Sequence, residues 1–294
     1  MKLPSTCVLF LIALPMAPLL AQTTIGGGSC TSSSLNGTYA LSLTGRQVTA
    51  SGTYTGVFQS NGSAKFDGQN TVNITLVANT GTSASAPLTW SGTYSVQANC
   101  AGLITITSGG TATLNMVLYD SGVDFLLSGS DATYTYSGTG NTEPTTACSA
   151  ATFSGVYTYN ATGFALTSGA VSGVRDAAGL MQFDGVSAIT VNLTMVTGTT
   201  APSPLALSGS YSISSTCLGS ATLIDASGNS YVMTFSVYNN TVANAAAYVS
   251  LAQSSKLIVE GSVHTAFGQT AAGASARPPA GESALSMIAQ GGRA

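Results

Sequence analysis

The sequence predicts an all-β protein of two tandem antiparallel eight-stranded modules, barrel-like in form, with β-sandwiches as the alternative. Three observations predict this. The stretch Leu88-Thr89-Trp90-Ser91-Gly92-Thr93-Tyr94-Ser95-Val96 alternates apolar and small polar residues, the period of a half-buried strand. It returns as Leu205-Ala206-Leu207-Ser208-Gly209-Ser210-Tyr211-Ser212-Ile213, and a cysteine follows each copy, Cys100 and Cys217. No helical period of any length separates the apolar runs, which are joined by short clusters of Gly, Asn, Asp and Ser; short connections favour antiparallel neighbours.

Residues 1–21 read as a secretory signal: a positive start at Lys2, an apolar core from Val8 to Leu20, and Ala21 before Gln22 as the cleavage point. Its removal takes Cys7 away and leaves Cys30, Cys100, Cys148 and Cys217. An even number of cysteines in an exported chain predicts disulfides, here with three possible pairings. Cys30 and Cys100 stand 70 positions apart and Cys148 and Cys217 stand 69 apart, so a bridge within each copy, Cys30–Cys100 and Cys148–Cys217, is the expected pairing. Residues 22–29 form a leader.

In the first module, residues 30–146, strand one covers residues 35–43, and Thr44-Gly45-Arg46 is expected to turn the chain. Strand two covers 51–58, with Asn61-Gly62 as a hairpin signal, and strand three covers 71–77. Pro87 opens strand four. Strands five to eight follow at 103–107, 113–119, 123–128 and 133–137, divided by Ser108-Gly109-Gly110 and Asp120-Ser121-Gly122. In the second module, residues 147–264, the landmarks come in the same order. Phe66-Asp67-Gly68 returns as Phe183-Asp184-Gly185, and Val72-Asn73-Ile74-Thr75-Leu76-Val77 as Val191-Asn192-Leu193-Thr194-Met195-Val196. The offset drifts from 117 to 123 positions, through length changes at turns. Residues 265–294 read as a flexible tail rich in Ala, Gly and Pro, either mostly disordered or a spacer towards a cell-surface partner.

Strands in series with hairpin links suggest an up-and-down barrel, and closure removes edges that a charge-poor sheet protects badly. Gly37, Gly56 and Gly92 share a face with Tyr39, Tyr54, Phe58, Trp90 and Tyr94. Small residues alternating with large ones fit a tapered inner face.

The opening Cys30…Leu35-Asn36-Gly37-Thr38-Tyr39, the Phe66-Asp67-Gly68 turn and the Ser91-Gly92-Thr93-Tyr94-Ser95-Val96…Cys100 strand resemble uncharacterised exported tandem-repeat β proteins of soil bacteria. By strand order alone the modules are similar to calycins, the lipocalin and avidin group. The lipocalin Gly-x-Trp opening is replaced here by Gly37-Thr38-Tyr39. The calycin resemblance implies ligand binding at the level of fold only.

Charged residues are 6% of the chain and the net charge is −3, so general acids and bases are scarce and no basic face exists for nucleic acid. Asp67 and Asp184 before glycine read as turn aspartates, with a calcium or substrate carboxylate as the alternative. His264, the single histidine, lies at the end of the last strand, and no Gly-x-Ser-x-Gly elbow is present. No catalytic residue, metal site or cofactor is expected. Trp90, Tyr39, Tyr54 and Tyr94 are the candidate lining of a small apolar or sugar pocket, against plain core packing. Leu207 stands where Trp90 repeats, so any pocket differs between the modules.

The expected role is therefore an exported, non-catalytic surface or extracellular structural protein, a cell-surface or matrix component. Alternatives are a calycin-type module for a small apolar or carbohydrate ligand and a sixteen-stranded outer-membrane barrel. The expected location is extracellular, cell-surface or periplasmic.

Overall fold

A computed structural model describes residues 29–48, 54–83, 86–120, 124–241 and 244–266. The expected signal, most of the leader and nearly all of the tail lie outside the described residues.

Sixteen strands form two closed antiparallel barrels of eight, each in simple up-and-down order. The first contains β1 (Asn36–Val48), β2 (Tyr54–Asp67), β3 (Thr71–Thr80), β4 (Ala86–Val96), β5 (Ala101–Ser108), β6 (Thr113–Tyr119), β7 (Asp124–Ser130) and β8 (Thr135–Thr142). The second contains β9 (Ser154–Thr167), β10 (Ala170–Asp184), β11 (Ala188–Thr197), β12 (Ser203–Ile213), β13 (Leu218–Asp225), β14 (Ser230–Asn239), β15 (Ala246–Gln253) and β16 (Leu257–Thr265). β1 pairs with both β2 and β8, and β9 with both β10 and β16, so neither barrel keeps a free edge and the sandwich alternative does not apply. A single sixteen-stranded barrel does not form. Each half closes on itself with apolar residues inward, the reverse of a membrane barrel's polar lumen.

Two expected turns are corrected. Thr44-Gly45-Arg46 lies inside β1, and Asn61-Gly62 lies in the middle of β2, paired on both sides with β1 and β3. Asn-Gly turns a chain only where its flanks are free to fold back on each other. Here the alternation of β2 continues through both residues, and each serves another contact. A Cβ on Gly62 would lie 2.0 Å from the Thr75 carbonyl, and Asn61 faces the second barrel. The second copy carries Ala178-Gly179 at this place, with no turn signal. Gly92 and Gly209, on the inner faces of β4 and β12, stand where the neighbouring strand comes close. A Cβ on either would meet the carbonyl of Thr105 or Thr222 at 2.0 Å.

The base of each barrel is built twice from the same parts. Disulfides join Cys30 to Cys100 and Cys148 to Cys217, as the spacing predicted. A short 3-10 turn, Ser32–Ser34 or Ala150–Thr152, folds under the barrel floor. The Tyr94 hydroxyl donates to the carbonyls of Ser32 and Leu35 at 2.9 and 3.0 Å. The Tyr211 hydroxyl does the same to Ala150 and Phe153, both at 2.9 Å. Asp67 accepts from the backbone N–H groups of Gln69, Asn70 and Thr71, and Asp184 from those of Val186, Ser187 and Ala188. Both are turn aspartates as expected, and these bonds hold the Asp67 carboxyl down at about 2.

The barrels share a buried face. Residues on β14, β15 and β16 are buried on both sides of the sheet, inward and outward alike. Their outward side meets β1 and β2, and reaches Asn79 of β3. Asn61 Nδ2 donates to the Thr234 carbonyl at 2.8 Å, Asn79 Nδ2 to Ser250 Oγ at 2.7 Å, and Ser236 Oγ to the Gly62 carbonyl at 2.5 Å. Val57 packs with Phe164, Leu166, Ala252 and Ile258 in a small apolar cluster of its own. At the centre, the buried Glu260 carboxylate accepts from Ser42 Oγ, and from Thr44 Oγ1 at 3.2 Å. Burial pushes its carboxyl up to about 7, against the two hydroxyl bonds that lower it.

Candidate functional site at the open end of the second barrel

The ends of the barrels away from the disulfides differ. In the first, Phe58 on β2 and Trp90 on β4 lie parallel, ring centroids 6.3 Å apart. Tyr136 meets both edge-on, at 5.7 and 5.8 Å. Trp90, Phe58 and Tyr136 are all buried, so aromatic rings occupy this end. The Tyr136 hydroxyl donates to Asp131 Oδ2 at 2.6 Å.

Three of the four predicted lining residues belong to this packed interior. Trp90 is in the ring stack. Tyr39 packs against Phe66 and Phe125 deeper in the barrel, with centroids at 5.5 and 5.3 Å. Tyr94 sits on the floor, edge-on to Phe66 at 4.9 Å. The barrel axis thus separates Trp90 from Tyr94 rather than bringing them round one space. Tyr54 opens β2, paired with Val48; its side chain lies outside the described ones.

The second barrel has no such stack. β10 pairs Arg175 with Thr197 of β11, as β2 pairs Phe58 with Thr80 of β3. Arg175 therefore stands in the place of Phe58, and Leu207 in the place of Trp90. Removing two ring systems leaves a cavity of about 130 Å³, lined by Arg175, Thr197, Tyr231, Met195, Leu205 and Leu257 among others. Arg175 is half-buried, and its Nε donates to Thr197 Oγ1 at 2.8 Å. Among the described residues no carboxylate lies within ion-pair distance of this guanidinium. Asp225, the acid that contacts Tyr231, accepts from Asn229 Nδ2 at 2.7 Å and from the backbone N–H groups of Ser227 and Asn229. The Asn229 side-chain bond is the largest cause holding its carboxyl below the ordinary range. Burial, reinforced by Asp225, raises the Tyr231 hydroxyl, which stays a neutral donor.

Chemically, this is a recess of mixed lining: one cation, the hydroxyl-bearing Thr197, Thr200, Ser203 and Tyr231, and an apolar side made by Met195, Pro204, Leu205 and Leu257. It offers no nucleophile–base pair. His264 is exposed on β16, 3.1 Å from Ser262 Oγ. Among the described residues no group of three or more His, Cys, Asp or Glu could hold a metal ion.

The chain matches no family model and no curated protein.

No repeated arginine marks this site in the sequence, since Arg46 is not the counterpart of Arg175. The usable signal was the opposite of repetition. Counting back from Phe66-Asp67-Gly68 and Phe183-Asp184-Gly185 places Phe58 over Arg175, an aromatic residue exchanged for a cation on an inner face.

Proposed function

We propose that the protein is an exported, non-catalytic structural or interaction component of the cell surface or extracellular matrix, akin to the exported tandem-repeat β proteins it resembles. The observation that carries the reading is the shared face between the barrels. Outward positions of β14, β15 and β16 that would serve solvent in a free module are given to Asn61, Asn79, Ser42 and Thr44 instead. Such a joint makes two repeats into one stiff block, which suits a building element. The two disulfides fit an oxidising, extracellular environment. The eight-stranded up-and-down order is also what supports a calycin-like reading. The small-ligand reading has one observation in its favour, the Arg175 cavity, and in the second barrel alone.

Expression of the full chain with its own leader in an exporting bacterial host tests this. The expected product is found outside the cytoplasm, begins at Gln22, has both disulfides formed and turns over none of a panel of ester, glycoside and peptide substrates. Cytoplasmic retention with the leader intact, or measurable turnover, overturns the reading.

A further inference from the structure

We propose that the open end of the second barrel binds a small organic carboxylate with a compact apolar body, held by Arg175. The site is independent of the structural role proposed above, and either stands if the other fails.

Stacked rings fill this end of the first barrel, whereas the equivalent positions of the second carry Arg175 and Leu207, and Arg175 lines a cavity of about 130 Å³. A cation set half-buried in a recess gives up part of its hydration and needs an anionic partner to recover the loss. Among the described residues the chain supplies none within ion-pair distance, and Asp225 is committed to Asn229, Ser227 and Tyr231. The Thr197 hydroxyl holds Nε, which fixes the guanidinium plane and leaves the Nη edge for an incoming group. Two parallel N–H donors match the two oxygens of a carboxylate.

The rest of the recess sets the body of the ligand. Met195, Leu205 and Leu257 are apolar, and Met adapts to irregular shapes. A cavity of about 150 Å³ in another apolar core accepts a benzene ring, so the space here suits a body of about six carbons. Inorganic phosphate matches the cation and the hydroxyls but leaves Met195, Pro204, Leu205 and Leu257 uncovered, and a neutral alcohol covers that side but does not match the cation.

Calorimetric titration of the mature, disulfide-intact chain tests the proposal, with benzoate, benzyl alcohol and inorganic phosphate as probes. Benzoate is expected to bind saturably at one site per chain, at least tenfold more tightly than either of the others. Arg175→Met is expected to weaken benzoate at least tenfold, with Arg175→Lys in between because it keeps charge but loses the fork. Leu205→Trp, at a half-buried lining position, fills the recess without touching the charge and should abolish binding, so the test survives if Arg175→Met fails to fold. Absence of saturable benzoate binding, equal binding by phosphate, or wild-type affinity in Arg175→Met or Leu205→Trp overturns the proposal.

Discussion

Asn61 Nδ2 of the first barrel donates to the Thr234 carbonyl of the second across 2.8 Å, and both residues are buried. A second, longer bond reaches the Tyr248 carbonyl at 3.5 Å. One amide thus ties β2 to two neighbouring strands of the other barrel. Asn61→Ala leaves the Thr234 and Tyr248 carbonyls without this side-chain donor in a buried joint. The expected cost is about 1–3 kcal/mol in chemical denaturation. Hydrogen exchange should quicken in β14 and β15, while β4 and β5, away from the shared face, keep their protection. Uniform loss across both barrels would show that Asn61 acts on overall stability rather than on the joint. The same burial excludes Asn61 from glycosylation despite its Asn-x-Ser pattern.

Glu260 predicts an unusual pH profile. Its folded carboxyl is raised from an ordinary value of 4.5 to about 7 by burial. Between those values the unfolded chain releases the proton and the folded chain keeps it, so stability falls as pH rises and levels off above the folded value. The full effect is about 3 kcal/mol. Glu143, also pushed up to about 7 by burial, adds a decline of the same sign. On the acid side, Asp67, Asp131, Asp184 and Asp225 have lowered carboxyls, whose contribution is lost as pH falls below the ordinary aspartate range. Maximum stability should therefore lie at mildly acid pH. Glu260→Gln should remove about half of the decline towards neutrality, leaving the part due to Glu143; an unchanged profile in that variant would refute the assignment.

The repeated floor predicts paired effects. Tyr94→Phe and Tyr211→Phe each delete a hydroxyl shared by two carbonyls and should each cost about 1–2 kcal/mol. Unequal costs, measured by denaturation of the two variants side by side, would show that the matched geometry carries unequal strain.

The two bridges close loops of nearly equal length, 70 and 69 residues. Replacing Cys30 and Cys100 with serine, or Cys148 and Cys217, should cost about 4 kcal/mol in either case on the chain-entropy account. A difference of more than about 2 kcal/mol between the two would locate part of the effect in the folded state instead.

Gly92→Ala should cost on the order of 1–3 kcal/mol, because the new methyl meets the Thr105 carbonyl rather than a side chain able to swing away. Gly228→Ala, in a turn with open space around it, gives the comparison: φ there is +79°, so only backbone strain applies. If the two variants melt alike, the close approach at Gly92 is not what requires glycine.

Much of the fold could be read directly. The alternation around Trp90 and Tyr94, its return at Leu207 and Tyr211, and the cysteine spacing are local or repeating signals, and each reports a strand or its floor. The inner faces were legible for the same reason: Val72, Ile74 and Leu76 alternate with polar residues and all point inward. The Asn61-Gly62 pair misled because a dipeptide reports backbone preference, not whether its flanks have partners. The candidate lining failed to converge because Trp90 and Tyr94 share a face of β4 but lie at different depths along the barrel, and alternation carries no measure of depth.

By itself, then, the sequence determined the strands, their inward and outward faces, the duplication and the disulfide pairing, since period two and near-equal spacing survive in one dimension. Only the tertiary structure decided that each eight closes on itself, that Glu260 and Asn61 lie buried between the barrels, and that Arg175 edges a cavity. Those facts depend on which outward face meets which, and on what is missing opposite a side chain. An outward Asn or Glu reads the same in a sequence whether water or another barrel lies against it.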